Sequence, residues 1–403
     1  MGTFEPSIIL GNGFNLALKE CSSINIQFGY KDILNEVKIK SKESSHELSV
    51  FLEQNGVNED LKTDDIEVLL AILKNSSQCL TFCSKNYCDC KPNYENKIKQ
   101  NFDLLKKIVI EVMTDKKLHP EYLEIFNEEN NCILNRCKRN LECFNRIFTI
   151  NYDLILYWLL NNRELLWEYD KSGKLVKGKF RDGFSSKEEY KPIDFNNHPI
   201  DSLYGYAGTN NRPNLFWLHG ALHLLHDKAK AYKVVRKNKD LYLDLFQLRN
   251  LLLKDYSTFE NLLVFDATSY DKIRNIYANA YLEKGYDKII TTPGDIIIYG
   301  CNLLNNTNDS IDLGNDIHLW RRVINSRAKK IYLGIGAEDS SELNSFAEQA
   351  AKEFKTLRCI EDSDIRIYTY SHKLFNIWKT ENFYKSIQSN SSEGYSAAIN
   401  LSH

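Results

Sequence analysis

The feature that most constrains this chain is a series of short apolar runs, each ended by a polar or glycine-containing turn. They are "SIIL" (7–10), "RIFTI" (146–150), "LFWL" (215–218), "LLVF" (262–265), "DIIIY" (295–299), "KIYLGI" (330–335) and "IRIYTY" (365–370). Continuous apolar runs of strand length, rather than alternating ones, belong to strands covered on both faces. Helix-like segments such as "DIHLWRRVINSR" (316–327) and "SSELNSFAEQAAKEF" (340–354) lie between several of them. The alternation predicts an α/β fold, a Rossmann-like parallel sheet with helices on both faces.

One stretch breaks the alternation. Between the first and second runs the apolar residues recur at helical spacing, in "YKDILNEVKI" (30–39), "DDIEVLLAIL" (64–73) and "NFDLLKKIVIEVM" (101–113). Asp64 and Glu67 have capping-box spacing ahead of the second segment. The reading is a Rossmann domain built from 1–29 and 146–375, a helical insertion over 30–145, and a C-terminal tail over 376–403. Residues 168–214 are polar, with Gly, Pro and Asn clusters, and read as a long loop.

Charge excludes some functions. Lys and Arg total 52 against 54 Asp and Glu, a net charge of −2, so no global basic field draws the chain to nucleic acid or anionic lipid. The short basic run "KVVRKNK" (233–239) reads as a solvated face. No apolar run nears the roughly 20 residues that span a bilayer. The N-terminus lacks the basic-then-apolar pattern of a secretory signal. The expected location is the cytoplasm, where ten cysteines are thiols rather than a disulfide framework. Cys79, Cys83, Cys88 and Cys90 cluster, but the last two are closer together than zinc pairs prefer, and incidental thiols are the simpler reading.

Three strand ends carry polar residues, the place where open α/β sheets bind ligands. In "IILGNGFNLAL" (8–18), Gly11, Asn12, Gly13, Phe14 and Asn15 form a turn into a helix, which suits a phosphate, though Leu16 stands where a full dinucleotide fingerprint wants Gly or Ala. In "FTINYD" (148–153), Asn151 can hold a sugar hydroxyl or a water, while Asn151 and Asp153 could equally cap the next helix. In "LFWLHGALHLLH" (215–226), His219 suits general-base work and Gly220 clears space beside it. His223 lies four residues on, but the glutamate that H-E-x-x-H needs is replaced by Gly220, so no metal site is expected.

Together these motifs resemble the sirtuins, NAD-consuming deacylases with a Gly-rich first loop, a T-x-N-x-D segment and a His-Gly pair in this order. The matching residues are Gly11 to Phe14, Thr149 to Asp153, and His219-Gly220, with Gly300 and Asn302 in "DIIIYGCNLLNNTND" (295–309) resembling the later loop. The match is closer to the bacterial sirtuin-like NADases of anti-phage defence, through "LGNGF", "FTINYDLILYW", "DGF" (182–184), "WLHGALHL" and "NDIHLWRRVI" (315–324). The resemblance departs at the four-cysteine zinc module of the deacylases, since no Cys lies between Gly220 and Gly300.

The resemblance implies an NAD⁺ hydrolase that depletes NAD in abortive infection. Asn151 and His219 would be catalytic. Gly11, Asn12, Gly13, Phe14, Asn15, Thr149, Asp153, Gly220, Gly300 and Asn302 would bind NAD, and Asp316 and His318 would be secondary contacts or a helix cap and a surface His. It further implies a homo-oligomer and a HerA-like ATPase partner, with no membrane or nucleic-acid binding and no metal. The rival readings are a non-catalytic module sensing NAD or ADP-ribose, a nucleic-acid-binding defence component, and a deacylase.

Overall fold

A computed structural model describes residues 5–24, 26, 29–53, 66–86, 93–162, 180–191, 200–208, 212–227, 230–236, 242–254, 259–265, 268–301, 305–307, 310–312, 316–358, 365–391 and 399–400. The chain opens with β1 (Ser7–Leu10) and α1 (Gly13–Lys19). Six helices follow: α2 (Tyr30–Ser44), α3 (His46–Glu53), α4 (Ile66–Asn86), α5 (Asn93–Met113), α6 (Tyr122–Ile125) and α7 (Asn131–Glu142). Then come β2 (Arg146–Thr149), α8 (Ile155–Asn161), β3 (Phe184–Tyr190), β4 (Ile200–Tyr206), β5 (Leu215–Trp217), β6 (Gly220–Asp227), β7 (Lys230–Arg236), α9 (Leu245–Leu252) and β8 (Glu260–Leu263). The last part holds α10 (Ser269–Tyr277), α11 (Ala280–Ile290), β9 (Ile296–Tyr299), β10 (Asn305–Thr307), β11 (Ser310–Asp312), α12 (Ile317–Ile324), β12 (Lys330–Ile335), α13 (Ser340–Leu357), β13 (Arg366–Ser371), α14 (Phe383–Ser391) and β14 (Ile399–Asn400).

The main sheet has the order β14-β13-β12-β9-β1-β2-β5, and every pair in it is parallel except β13 with β14. Its six parallel strands carry the apolar runs. Ile8, Ile9, Ile147, Phe216, Ile297, Ile298, Ile331 and Ile367 are all fully buried or nearly so, as strands covered on both faces require. From β1 the chain adds β2 and β5 on one side and later β9, β12 and β13 on the other. This is the doubly wound Rossmann order, with its switch point between β1 and β9.

A second sheet, of order β3-β4-β7-β6-β8, is antiparallel throughout. It corrects two expectations. The stretch read as a long loop contains β3 and β4. Its polarity arises because β3 is exposed along most of its length, so polar residues there mark a solvated strand. The run at 262–265 does not join the parallel sheet, because β8 (Glu260–Leu263) pairs antiparallel with β6.

Residues at 376–391 pack onto the Rossmann unit. The Trp378 ring lies 4.7 Å from that of Phe14 and its Nε1 donates to Phe14 O at 2.8 Å, while Phe383 and Ile387 are fully buried. Cys79 is exposed on α4, Cys83 lies on the same helix, and Cys88 and Cys90 fall outside the described residues. Among the described residues no helix is long and apolar enough to cross a membrane.

Candidate functional site

The carboxyl ends of β1 and β9 meet glycine on glycine at the switch point. Gly300 has φ +67°, and a Cβ on it would lie 2.6 Å from Gly13 Cα. A Cβ on Gly11 would lie 2.6 Å from Gly300 O, and one on Gly13 would lie 2.5 Å from Gly300 Cα. The glycines let two turns pass in backbone contact. The donors expected to cradle a phosphate are engaged there: Gly13 N–H donates to Gly300 O at 2.8 Å and Phe14 N–H to Gly11 O at 2.9 Å. Asn12, at the helix N-cap, accepts through its carbonyl from the N–H groups of Asn15 and Leu16.

The segment after β2 locks onto this turn. Asn151 Nδ2 donates to Gly11 O at 3.1 Å, and Asn151 N–H donates to Thr149 Oγ1 at 3.1 Å. Asn151 Oδ1 has no hydrogen-bond partner among the described residues, so it is the acceptor left for a ligand. Asp153 combines two roles. Its Oδ1 accepts from Ile155 N–H at 2.8 Å, the turn chemistry foreseen for it, and its Oδ2 accepts from Asn15 Nδ2 at 2.6 Å. Burial is the largest influence on the Asp153 carboxyl and raises its pKa. Tyr152 turns away from Asn151, its hydroxyl proton shared between Val264 O at 2.8 Å and Glu67 Oε1 at 3.1 Å.

His219 follows β5, which is paired with β2 so that Thr149 faces Trp217. Two residues beyond that pair, Asn151 and His219 leave the ends of neighbouring strands. His219 is buried, with Nε2 3.0 Å from Tyr286 Oη and 3.7 Å from Asp316 Oδ1. Its Nδ1 has no partner among the described residues. Burial drives the His219 pKa down to about 3, against the opposing pull of Asp316, so the ring is neutral at pH 7.

Beyond His219 lies a continuous polar network. Tyr286 Oη also lies 3.0 Å from His318 Nε2, and His318 Nδ1 lies 2.9 Å from Ser269 Oγ. Asp316 holds the N-cap position of α12 but makes no cap bond. Its Oδ1 instead pairs with Lys272 Nζ at 2.9 Å, and Lys272 pairs with Glu67 Oε2 of α4 at 2.7 Å. Burial would raise the Asp316 pKa, but His219, Lys272 and His318 outweigh it and bring it down to about 2. Lys272 is pushed up, since Glu67 and Asp316 together overcome its desolvation.

The ligand atoms of His219, Asp316 and His318 lie within 4.8 Å of one another, close enough to share a metal ion. Two features of the surroundings compete with one. Lys272 is already the cation on Asp316 Oδ1, and the Tyr286 hydroxyl stands between the two imidazoles. His223 cannot contribute, because 220–227 is a strand and four residues along it span about 13 Å. Its ring is packed inside, edge-on to Trp217 at 4.7 Å and tilted against Tyr157 at 4.4 Å.

Several residues matched on sequence face elsewhere. Phe14 is fully buried against Trp378. Thr149 is fully buried, and its Oγ1 accepts from Asn151 N–H. Gly220 (φ +78°) is needed because a Cβ there would lie 1.8 Å from Leu262 O, so it admits β8 beside β6. Asp64 and Asn302 lie outside the described residues. No motif in the sequence marks Ser269, Lys272 or Tyr286, and the spacing of Glu67 points only to a helix cap. These residues sit on different helices, and no local spacing joins them.

With the geometry in place, the profile of a domain family of unknown function, DUF4917, matches residues 8–360. The chain belongs to that family. The match takes in the second sheet, the main sheet except β13 and β14, and every residue of the network from Gly11 to His318. A comparison with curated proteins finds no match.

Proposed function

We propose that this DUF4917 protein is an NAD⁺ glycohydrolase that cleaves the bond between nicotinamide and ribose. The observation that carries the reading is the pairing of Asn151 and His219 at the carboxyl ends of adjacent parallel strands, with a free Oδ1 on one and a neutral ring with an unpartnered Nδ1 on the other. Nicotinamide leaves as a neutral base from a cationic substrate, so the chemistry demands no general acid. The ribose passes through an oxocarbenium-like state, and water adds at its anomeric carbon. Asn151 would hold a ribose hydroxyl or that water, and His219 would take the proton released as the new C–O bond forms. The ionised Asp316 beside His219 favours positive charge in this region. The reading invokes no metal.

The wider setting comes from the resemblance to defence NADases: depletion of NAD during infection, a homo-oligomer, and a HerA-like ATPase partner. A second reading, a module that senses NAD or ADP-ribose without turnover, is favoured by one observation. An imidazole held down to about 3 is a weak proton acceptor until a ligand changes its surroundings. The deciding experiment is nicotinamide release from NAD⁺ by the purified protein, with its oligomeric state recorded and an encoded partner ATPase added. Asn151→Ala and His219→Ala are expected to fold and to lose at least about a hundredfold in rate. Binding of NAD without release, by wild type under every condition, refutes the hydrolase and supports the sensor.

A further inference from the structure

The Tyr286 hydroxyl has one proton and two imidazole neighbours, His219 Nε2 and His318 Nε2, each at 3.0 Å. It can donate to one and must accept from the other, so one ring carries its proton on Nε2. Asp316 breaks the tie. Its carboxylate lies 3.7 Å from His219 Nε2, where an N–H is attracted and a lone pair repelled. At the far end, Ser269 Oγ accepts from His318 N–H at 2.9 Å and lies 2.9 Å from His318 Nδ1, to which it can donate or from which it can accept. A ring protonated on Nδ1 has a bare Nε2, which accepts from Tyr286. Asp316 thus sets the direction, and Ser269 Oγ can follow it by accepting from Nδ1–H.

We infer that Tyr286, His318 and Ser269 are positioning residues, a one-way hydrogen-bonded chain that holds His219 with its proton on Nε2 and its lone pair on Nδ1. The chain is His219 Nε2–H to Tyr286 Oη, Tyr286 O–H to His318 Nε2, and His318 Nδ1–H to Ser269 Oγ. Its members come from α10, α11 and α12, so three helices, not the strand that precedes His219, set the form in which the imidazole meets a ligand. The charged groups around it are Asp316, Lys272 and, through Lys272, Glu67 of α4, and none of them approaches Nδ1 in place of a ligand. That Nδ1 then acts as a proton acceptor rests on the hydrolase reading, whereas the tautomer does not.

The test separates the two. Ring nitrogens of ¹⁵N-histidine-labelled full-length protein are read by long-range ¹H–¹⁵N correlation, with His219 assigned by its loss in His219→Gln. Wild type is expected to show His219 protonated on Nε2 and bare on Nδ1. Tyr286→Phe keeps the ring and removes only the hydroxyl, and it should turn His219 into a tautomer mixture. Ser269→Ala should do the same to His318, and it serves as the second variant if Tyr286→Phe does not fold. In nicotinamide release, Tyr286→Phe should lower kcat about tenfold and shift the acid limb of the pH profile, with KM little changed. His219 protonated on Nδ1 in wild type overturns the inference, as do unchanged tautomers in both variants. Zn²⁺ that shifts both His219 and His318 nitrogens overturns it in favour of a metal site. A wild type that releases no nicotinamide sinks the hydrolase reading and leaves the tautomer result to stand or fall alone.

Discussion

Lys272 is the group whose loss the network should tolerate least. Its side chain is 2% exposed, and its ammonium lies between the side chains of Glu67, 4% exposed, and Asp316, 22% exposed. Lys272→Met keeps most of the side-chain volume and strands two carboxylates. Removing one partner of a buried ion pair costs about 3–5 kcal/mol, chiefly because the remaining charge is left unpaired. The second substitution tests that cause. Glu67→Gln in the Lys272→Met background removes the more buried charge, and the double variant should recover to within about 1–2 kcal/mol of wild type. For a chain of this size 1 kcal/mol moves Tm by about 2 °C, so the single variant should fall by about 6–10 °C and the double by no more than about 4 °C. Thermal unfolding followed by near-UV circular dichroism reads both midpoints. A double variant that falls by the sum of the two singles would show that the carboxylates are not coupled through Lys272. A Lys272→Met midpoint within about 1 °C of wild type would show that the triad carries no net energy.

Two further outcomes can be checked on stability alone. Gly220→Ala places a Cβ on Leu262 O at positive φ, whereas Gly208→Ala, at φ +66° with nothing within 4 Å, meets only the left-handed strain of about 1–2 kcal/mol. The first should lose several-fold more stability than the second in urea, and equal losses would refute the packing argument for Gly220. His119 and His219 are buried and neutral, with pKa values lowered by burial to about 4 and about 3, against about 6.5 when unfolded. A folded pKa below the unfolded one means stability is complete above pH 6.5 and is lost as pH falls toward 4 and then 3, because the unfolded chain takes up the protons first. Each histidine should cost about 2 kcal/mol between pH 6.5 and 5. His119→Gln should flatten that slope, and an unchanged slope in the variant would exclude His119 as a source.

The parts of the site legible in the sequence are those with a local cause. Continuous apolar runs such as Ile296–Tyr299 have no amphipathic use except as covered strands, so they predict the parallel sheet, and Asn151 and His219 then fall at strand ends by chain position alone. Asp153 could be read as turn chemistry for the same reason, since its partner Ile155 N–H is two residues away.

What the sequence could not decide was direction and partnership. The run at 262–265 is as apolar as a parallel strand, and only the pairing of β8 with β6 assigns it to the second sheet. Phe14 and Thr149 sit inside the matched motifs, yet their side chains turn into the core, because Trp378 and the Asn151 N–H wait there. The network of Glu67, Ser269, Lys272, Tyr286, Asp316 and His318 draws on four helices spread over some 250 residues. Local periodicity reports which face of an element is apolar. It carries no record of which distant polar groups will share one desolvated space, and there each buried donor or charge must find its partner across the fold.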